Sequence, residues 1–297
     1  MPAARSYLFI PGDSEKKLAK ADGAGADAVI IDLEDSVGLA NKQKARDLAA
    51  RFIADRPRDA RRCQLWIRIN PFDAPEENEA DLKAISEAGL ALDGVVLPKA
   101  NGPEEVARLS QWLDEDGEGH KAVKVLSIAT ETAVAPFHLG RYADAELPRL
   151  SGLTWGAEDL SAALGASTNK DANGALAFTY QMVRSLCLMA AKAAGVDAIE
   201  SVYTDFRDLD GHRAASMAAR AEGFNGQMAI HPAQVPVINA AFTPSSAEID
   251  HAKRVVEAFD AAPGAGVVGL DGQMLDVPHL KQAKAVLALA DAYTDPA

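Results

Sequence analysis

The sequence predicts an α/β protein: a (β/α)₈ TIM barrel over residues 1–243, carrying a C-terminal helical and hairpin lid extension over 244–297. Three observations carry this reading. Short apolar runs alternate with helical segments about eight times along the chain. Several of those runs stop at a charged residue just where the strand pattern breaks, as at Asp32, Arg68 and Glu131. The length of 297 residues exceeds, by one short tail, the roughly 250 that such a barrel typically needs.

The first run, SYLFIPGD, is halted by Pro11 and Gly12, and Asp13 or Ser14 stands where a cap is expected for the helix at 15–25. AVII follows and closes in the acids Asp32, Glu34 and Asp35; a helix at 41–56 then leads to QLWIRIN, ended by Arg68, Asn70 and Pro71. A helix at 76–89, spaced through Leu82 and Ile85, delivers GVVLPKA with Pro98 and Lys99 at its end. The helix at 104–115 puts Val106, Leu109 and Leu113 on one face before the fifth and sixth strands, VLSIAT and LSGLTW. The stretch 174–195 is apolar nearly all round, which predicts a well-buried helix. DAIESVYTDF, a helix at 210–223 and GQMAIHP complete the alternation. In the tail, Ser245 and Glu248 form a capping box, Asp271-Gly272 signals a hairpin turn, and a last helix begins near Pro278. So short a tail is expected to lack a core of its own and to pack on a barrel, its own or a neighbour's.

Composition narrows the class. Lys and Arg number 30 against 43 Asp and Glu, and the resulting charge of -13 repels nucleic acid and anionic membranes. No window approaches the ~20 apolar residues of a membrane span, and the N-terminus lacks the layout of a secretory signal. Cys63 and Cys187 stand far apart, with neither CxxC nor zinc spacing, and read as reduced thiols of a cytoplasmic protein.

In a barrel of parallel strands, side chains at the C-terminal strand ends converge on one mouth. Glu131 and Asp159 end adjacent runs there, and two carboxylates suit Mg²⁺, which completes its shell with waters and substrate oxygens. Alternatively each acid caps a helix or is solvated on a loop. One of Asp32, Glu34 and Asp35 suits hydrogen bonding to metal waters, with helix capping by Asp35 or Ser36 as the other reading. Arg68 offers a planar fork to a substrate carboxylate or carbonyl oxygen, or pairs with the acid cluster, or both. Lys99 raises a Schiff-base option that a metal site makes unnecessary. His231 is either a base or a structural rim residue, and Asp276, just before the last helix, reads by default as a cap or turn residue.

Taken together, RSYLFIPGD, VIIDLEDSV, WIRIN, VVLPKA, IATETA, LTWGAEDLSAALG, MAIHP and MLDVPHLKQA resemble, in order and over nearly the whole chain, the citrate lyase beta subunit-like branch of the HpcH/HpaI aldolase family, which includes malyl-CoA and citramalyl-CoA lyases. The resemblance implies a magnesium-dependent barrel, with Mn²⁺ as a substitute, assembled as a homotrimer or homohexamer in which the C-terminal segment reaches over a neighbour's mouth. It implies metal ligands at Glu131 and Asp159, and substrate contacts from Arg68, Glu131, Gly156 and Ala157. It further implies that Glu34 and Asp35 order the metal's waters and that Asp276 is the tail's acid or base. The activity so implied is reversible cleavage of a 3-hydroxyacyl-CoA to acetyl-CoA and a 2-oxo acid. Alternatives are a citryl-acyl-carrier lyase subunit working on an acyl carrier protein, a malyl-CoA thioesterase, and a non-catalytic assembly protein.

Overall fold

The computed structural model describes residues 4–87, 92–115 and 122–294, so the last two residues of the helix expected at 76–89 lie outside the described residues. These divide into two compact units, 4–239 and 240–294. In the first, β1 (Ser6–Pro11), β2 (Ala28–Asp32), β3 (Gln64–Arg68), β4 (Gly94–Leu97), β5 (Lys124–Ile128), β6 (Leu150–Thr154), β7 (Asp197–Glu200) and β8 (Gly226–Ala229) close into a parallel barrel, with β8 pairing back on β1. The middles of β2 and β3, residues 29–31 and 65–67, are apolar because helices cover them outside and packed side chains inside.

Helices return the chain after most strands: α1 (Glu15–Leu18), α2 (Lys42–Ala54), α3 (Pro75–Glu87), α4 (Pro103–Glu115), α5 (Ala157–Ala163), α6 (Phe178–Ala193), α7 (Leu209–Glu222) and α8 (Val235–Phe242). Between β5 and β6 the return is the 3₁₀ segment Ala135–Ala143. The barrel is filled, with Tyr7, Ile30, Trp66, Val96, Leu126, Ile128, Ile199 and Met228 packed together inside. Trp66 lies across the site where Gly94 has no side chain: a Cβ built at Gly94 would stand 2.1 Å from its ring.

The helix at 178–193 departs from expectation. Tyr180, Val183, Cys187, Ala190 and Ala191 are buried, but Phe178, Met182 and Met189 are exposed at 76%, 45% and 57%. An α-helix packed on a sheet covers only one stripe, so an all-round apolar sequence leaves an apolar outer face on this chain.

The tail is also better supplied than its length suggested. It contains α9 (Ser246–Asp260), the antiparallel hairpin β9 (Val267–Leu270) and β10 (Gln273–Asp276), and α10 (Val277–Thr294). Ser245 and Glu248 form the capping box at the start of α9. Asp271 and Gly272 both take positive φ, 52° and 78°, as a type I′ turn requires. Contrary to the coreless tail expected, Ala252, Val255, Phe259, Val268, Leu275 and Ala283 pack as a small core of their own.

Both cysteines are free thiols, and among the described residues no helix is long and apolar enough to cross a membrane. Because the Trp66 ring fills the space beside Gly94, Gly94→Ala should lower stability by about 1–3 kcal/mol, the usual effect of overpacking a tight core. Thermal and urea denaturation measure it, and a loss below about 0.5 kcal/mol would contradict the packing described.

Candidate active site

The C-terminal ends of the strands bring together Asp32, Glu34, Asp35, Arg68, Lys99, Glu131 and Asp159. Behind them lies a buried polar brace. The Lys42 ammonium, from the start of α2, donates to the Leu33 carbonyl (2.7 Å), the Glu34 carbonyl (2.8 Å) and Asn70 Oδ1 (2.7 Å). Asn70 in turn donates its backbone N–H and its side-chain amide to Asp81 Oδ2 at 2.7 and 2.6 Å, and Arg46 Nε donates to Asp81 Oδ1 at 2.7 Å. The loops after β2 and β3 are thereby fixed to α2 and α3, which holds the acids of the first loop beside the arginine of the second.

Asp32 and Arg68 end neighbouring strands in register with each other. Arg68 Nε and Nη2 donate to the two Asp32 oxygens at 2.7 and 2.6 Å, and the same oxygens accept the backbone N–H groups of Glu34 and Ser36. Asp32 is thus saturated. Burial opposes its charge, but the Arg68 guanidinium more than offsets that and leaves the carboxyl below its usual range. Arg68 also pairs through Nη1 with Glu34 Oε2 at 2.9 Å, and its Cζ lies 4.8 Å from the Phe9 ring centroid. Its three guanidinium nitrogens are therefore all engaged by Asp32 and Glu34.

Lys99 joins the two halves of the site. Its ammonium pairs with Glu34 and, at 2.9 Å, with Asp35 Oδ2, and lies 3.5 Å from Asp159 Oδ1. Burial works against its charge, but these carboxylates hold it well above the ordinary lysine range, which disfavours the neutral amine a Schiff base needs. Its backbone takes the left-handed φ of 51°, and its N–H donates to Glu131 Oε2 at 2.7 Å. Nothing in the one-letter pattern of VVLPKA signals that backbone contribution.

Glu131 is 5% exposed. It lies against Gly156, where a Cβ would stand 2.9 Å from Glu131 Cγ, so only glycine leaves room for the carboxylate. Burial, and then the nearby charge of Asp159, push its carboxyl up to about 8. Asp159 lies in the first turn of α5, and its neighbour Glu158 turns away to accept from Asn169 Nδ2 at 2.8 Å. Trp155 is set by Glu200, whose Oε1 accepts its indole N–H at 2.6 Å.

Two adjoining cavities meet here. One, of about 100 Å³, is lined by Arg68, Glu131, Thr154, Gly156, Ala157 and Asp159, among others. The second, of about 560 Å³, shares Phe9, Arg68, Asp159 and Val202 with it and extends past Asp35, His231, Lys17 and Lys20. His231 Nδ1 accepts the Ala233 N–H at 3.1 Å and its ring stacks on Phe206, so it caps a short 3₁₀ turn. Asp276 ends β10 in the second unit, and its Oδ1 lies 2.5 Å from His279 Nδ1.

No group of three or more His, Cys, Asp or Glu side chains is arranged to hold a metal among the described residues. Mg²⁺ does not need one, since it is held by one or two carboxylates and completes its octahedron with other oxygens. Glu131 and Asp159 supply that set. A carboxyl kept neutral by burial and a like-charged neighbour is one that a bound cation would ionise, so the donors fit the ion.

This chain is 36% identical over 292 residues to (3S)-malyl-CoA thioesterase of Cereibacter sphaeroides, covering 97% of this chain and 95% of that protein. It is 33% identical over 297 residues to mitochondrial citramalyl-CoA lyase of Rattus norvegicus, covering 96% and 86%. Among solved structures it is similar to CitE of Mycobacterium tuberculosis in complex with magnesium, acetoacetate and coenzyme A, with a TM-score of 0.79, 34% identity, and coverage of 98% of this chain and 99% of that one. Residues 5–232, the barrel and its mouth, match the HpcH/HpaI aldolase/citrate lyase description. With strand ends, acids and relatives in agreement, the chain belongs to the HpcH/HpaI aldolase/citrate lyase family of enzymes.

Proposed function

We propose that this enzyme is a Mg²⁺-dependent carbon–carbon lyase that reversibly cleaves a 3-hydroxyacyl-CoA to acetyl-CoA and a 2-oxo acid. The observation that carries the reading is the pair of unequal cavities meeting at Arg68 and Asp159. The smaller suits a head of a few heavy atoms beside Glu131 and Asp159. The larger has room for an extended thioester chain, and Lys17 and Lys20 on its wall offer cations to phosphates.

Bound to Glu131 and Asp159, Mg²⁺ would supply a Lewis acid and template for the carboxylate and hydroxyl oxygens of the substrate head. Glu34 and Asp35 accept hydrogen bonds at the edge of that site, and Lys99 holds them in place. Arg68, pinned by Asp32, presents positive charge where the enolate oxygen of the leaving acetyl thioester develops. Gly156 and Ala157 line the head's side of the cavity. Asp276, brought by the tail of an adjacent subunit, protonates that enolate in cleavage or takes the methyl proton in condensation, and His279 beside it orients the carboxylate. The protein would work in the cytoplasm, as a homotrimer or homohexamer, on free CoA thioesters.

A thioesterase outcome is the second reading, favoured by 36% identity over nearly full length to a malyl-CoA thioesterase. A citryl-acyl-carrier lyase subunit is a third, and it predicts no activity on free CoA thioesters. Incubation with Mg²⁺, acetyl-CoA and glyoxylate, pyruvate or oxaloacetate in turn, followed by mass analysis, should yield a 3-hydroxyacyl-CoA with one of them. Release of malate and free CoA from malyl-CoA, with no 2-oxo acid, would instead establish the thioesterase.

Two sets of variants test the residues. Glu131→Ala and Asp159→Ala should each lose calorimetrically measurable Mg²⁺ binding, and unchanged affinity would remove the metal from this pair. Asp276→Ala should lower kcat by about 10²–10⁴-fold, the usual share of a general acid or base, while Mg²⁺ and 2-oxo acid affinity stay within about twofold. Retention of most of kcat would exclude Asp276 as the proton donor.

A further inference from the structure

Thr154, the last residue of β6, is a side chain with no assigned task. It pairs in register with Ile128 on β5 and Ile199 on β7, both of which face the barrel interior, so strand alternation turns Thr154 inward at the same level. It is 1% exposed and lines the cavity of about 100 Å³ that also contains Arg68, Glu131 and Asp159. Its Oγ1 is buried and has no hydrogen-bond partner among the described residues.

A buried hydroxyl without a partner is destabilising, and valine would fill the same space without that penalty. Ile128, Ile199 and Met228, packed at the same level of the barrel, offer it nothing polar, so its partner must come from the cavity it lines. What can satisfy the hydroxyl is an oxygen-bearing occupant of the small cavity.

We propose that Thr154 is a positioning residue for the small substrate: its hydroxyl donates a hydrogen bond to a carboxylate oxygen of the 2-oxo acid held in this cavity. The inference rests on the cavity's being the oxo-acid site of the proposed lyase. Ile128 and Met228, on the same wall, then meet the substituent at the far end of the acid. A hydroxyl committed to one oxygen among apolar neighbours fixes the rotation of so small a molecule about the metal site. It also discriminates against occupants lacking an acceptor there more sharply than apolar walls can.

The test uses the full chain with Mg²⁺ and measures pyruvate, glyoxylate and oxaloacetate binding by calorimetry in wild type, Thr154→Val and Thr154→Ser. Thr154→Val should weaken binding of the preferred acid by about tenfold or more, as loss of a hydrogen bond to a charged group does. Its melting temperature and Mg²⁺ affinity should be no lower than wild type, and the weakening should recur as raised KM with kcat little changed. Thr154→Ser, which keeps the hydroxyl, should restore affinity to within about threefold. Wild-type affinity in Thr154→Val, or a loss in Thr154→Ser as large as in Thr154→Val, would overturn the assignment while leaving the lyase reading intact. Failure of the wild type to bind any of the three acids would remove the oxo-acid site itself, and this inference with it.

Discussion

The ion pair between Asp32 and Arg68 is the constraint on which the mouth depends. Both ends of the carboxylate are filled by the guanidinium fork and by two backbone N–H groups from its own loop. Removing one partner of such a buried pair leaves an uncompensated charge and is destabilising by about 3–5 kcal/mol, whereas the intact pair adds little net stability. Its role is therefore geometric. It fixes the angle of the arginine at the end of β3 and curls the loop after β2, so that Glu34 and Asp35 reach the Lys99 ammonium. The Lys42, Asn70 and Asp81 hydrogen bonds hold the same two loops from behind. The site is thus rigid before any ligand arrives, as charge-stabilising catalysis requires.

Around that pair the charges are unequal. Asp32, Glu34, Asp35, Glu131 and Asp159 gather about Arg68 and Lys99, five acids to two cations. Burial pushes the carboxyls of Glu34 and Glu131 upward, and these are the most enclosed of the acids after Asp32. A divalent cation would offset excess negative charge without any side chain moving far, because Glu131 is already fixed by the Lys99 amide and by the gap left at Gly156. The left-handed backbone of Lys99 belongs to the same logic: it is the conformation that aims that amide at the carboxylate, and a non-glycine residue adopts it only where its surroundings require it.

Much of this was legible in the sequence. Parallel strands covered on both faces are written as short, nearly continuous apolar runs, and each here is punctuated by proline, glycine or a charge. The strand-end rule then placed Glu131, Asp159, Arg68 and the acids after β2 on one rim. What escaped has identifiable causes. The Ala- and Leu-rich helix at 178–193 carries too weak a polar face for periodicity to show which side is covered. The 3₁₀ segment at 135–143 lacks the length of a helix signal. Lys99 acts partly through its backbone, which no residue pattern encodes. Asp276 and His279 are three residues apart at a helix start, a spacing that could have suggested their contact. Thr154 looked like one more β-branched strand residue, and its parity became known only once the register with Ile128 and Ile199 was fixed.

The unequal cavities bear on what the family fold can vary. Apolar walls separate substrates differing by a methyl group only weakly, by ~10–200-fold, whereas a buried polar group left unpaired by the wrong ligand separates them far more. In the proposed lyase the metal donors and Arg68 would touch features common to 2-oxo acids and so would not choose among them. Choice would come from side chains that line the small cavity yet are not among the proposed cation ligands: Phe9, Ile128, Thr154 and Met228 on strands, and Val202 just past the end of β7. Because four of these sit on four different strands of a closed ring, each can change without altering the loops that carry Glu34, Asp35 and Asp159. Chemistry and selectivity are thereby divided between loop and strand. On the proposed reading, a barrel that keeps the Asp32–Arg68 pair would tune its choice of oxo acid through these inward residues while the mouth stays as it is.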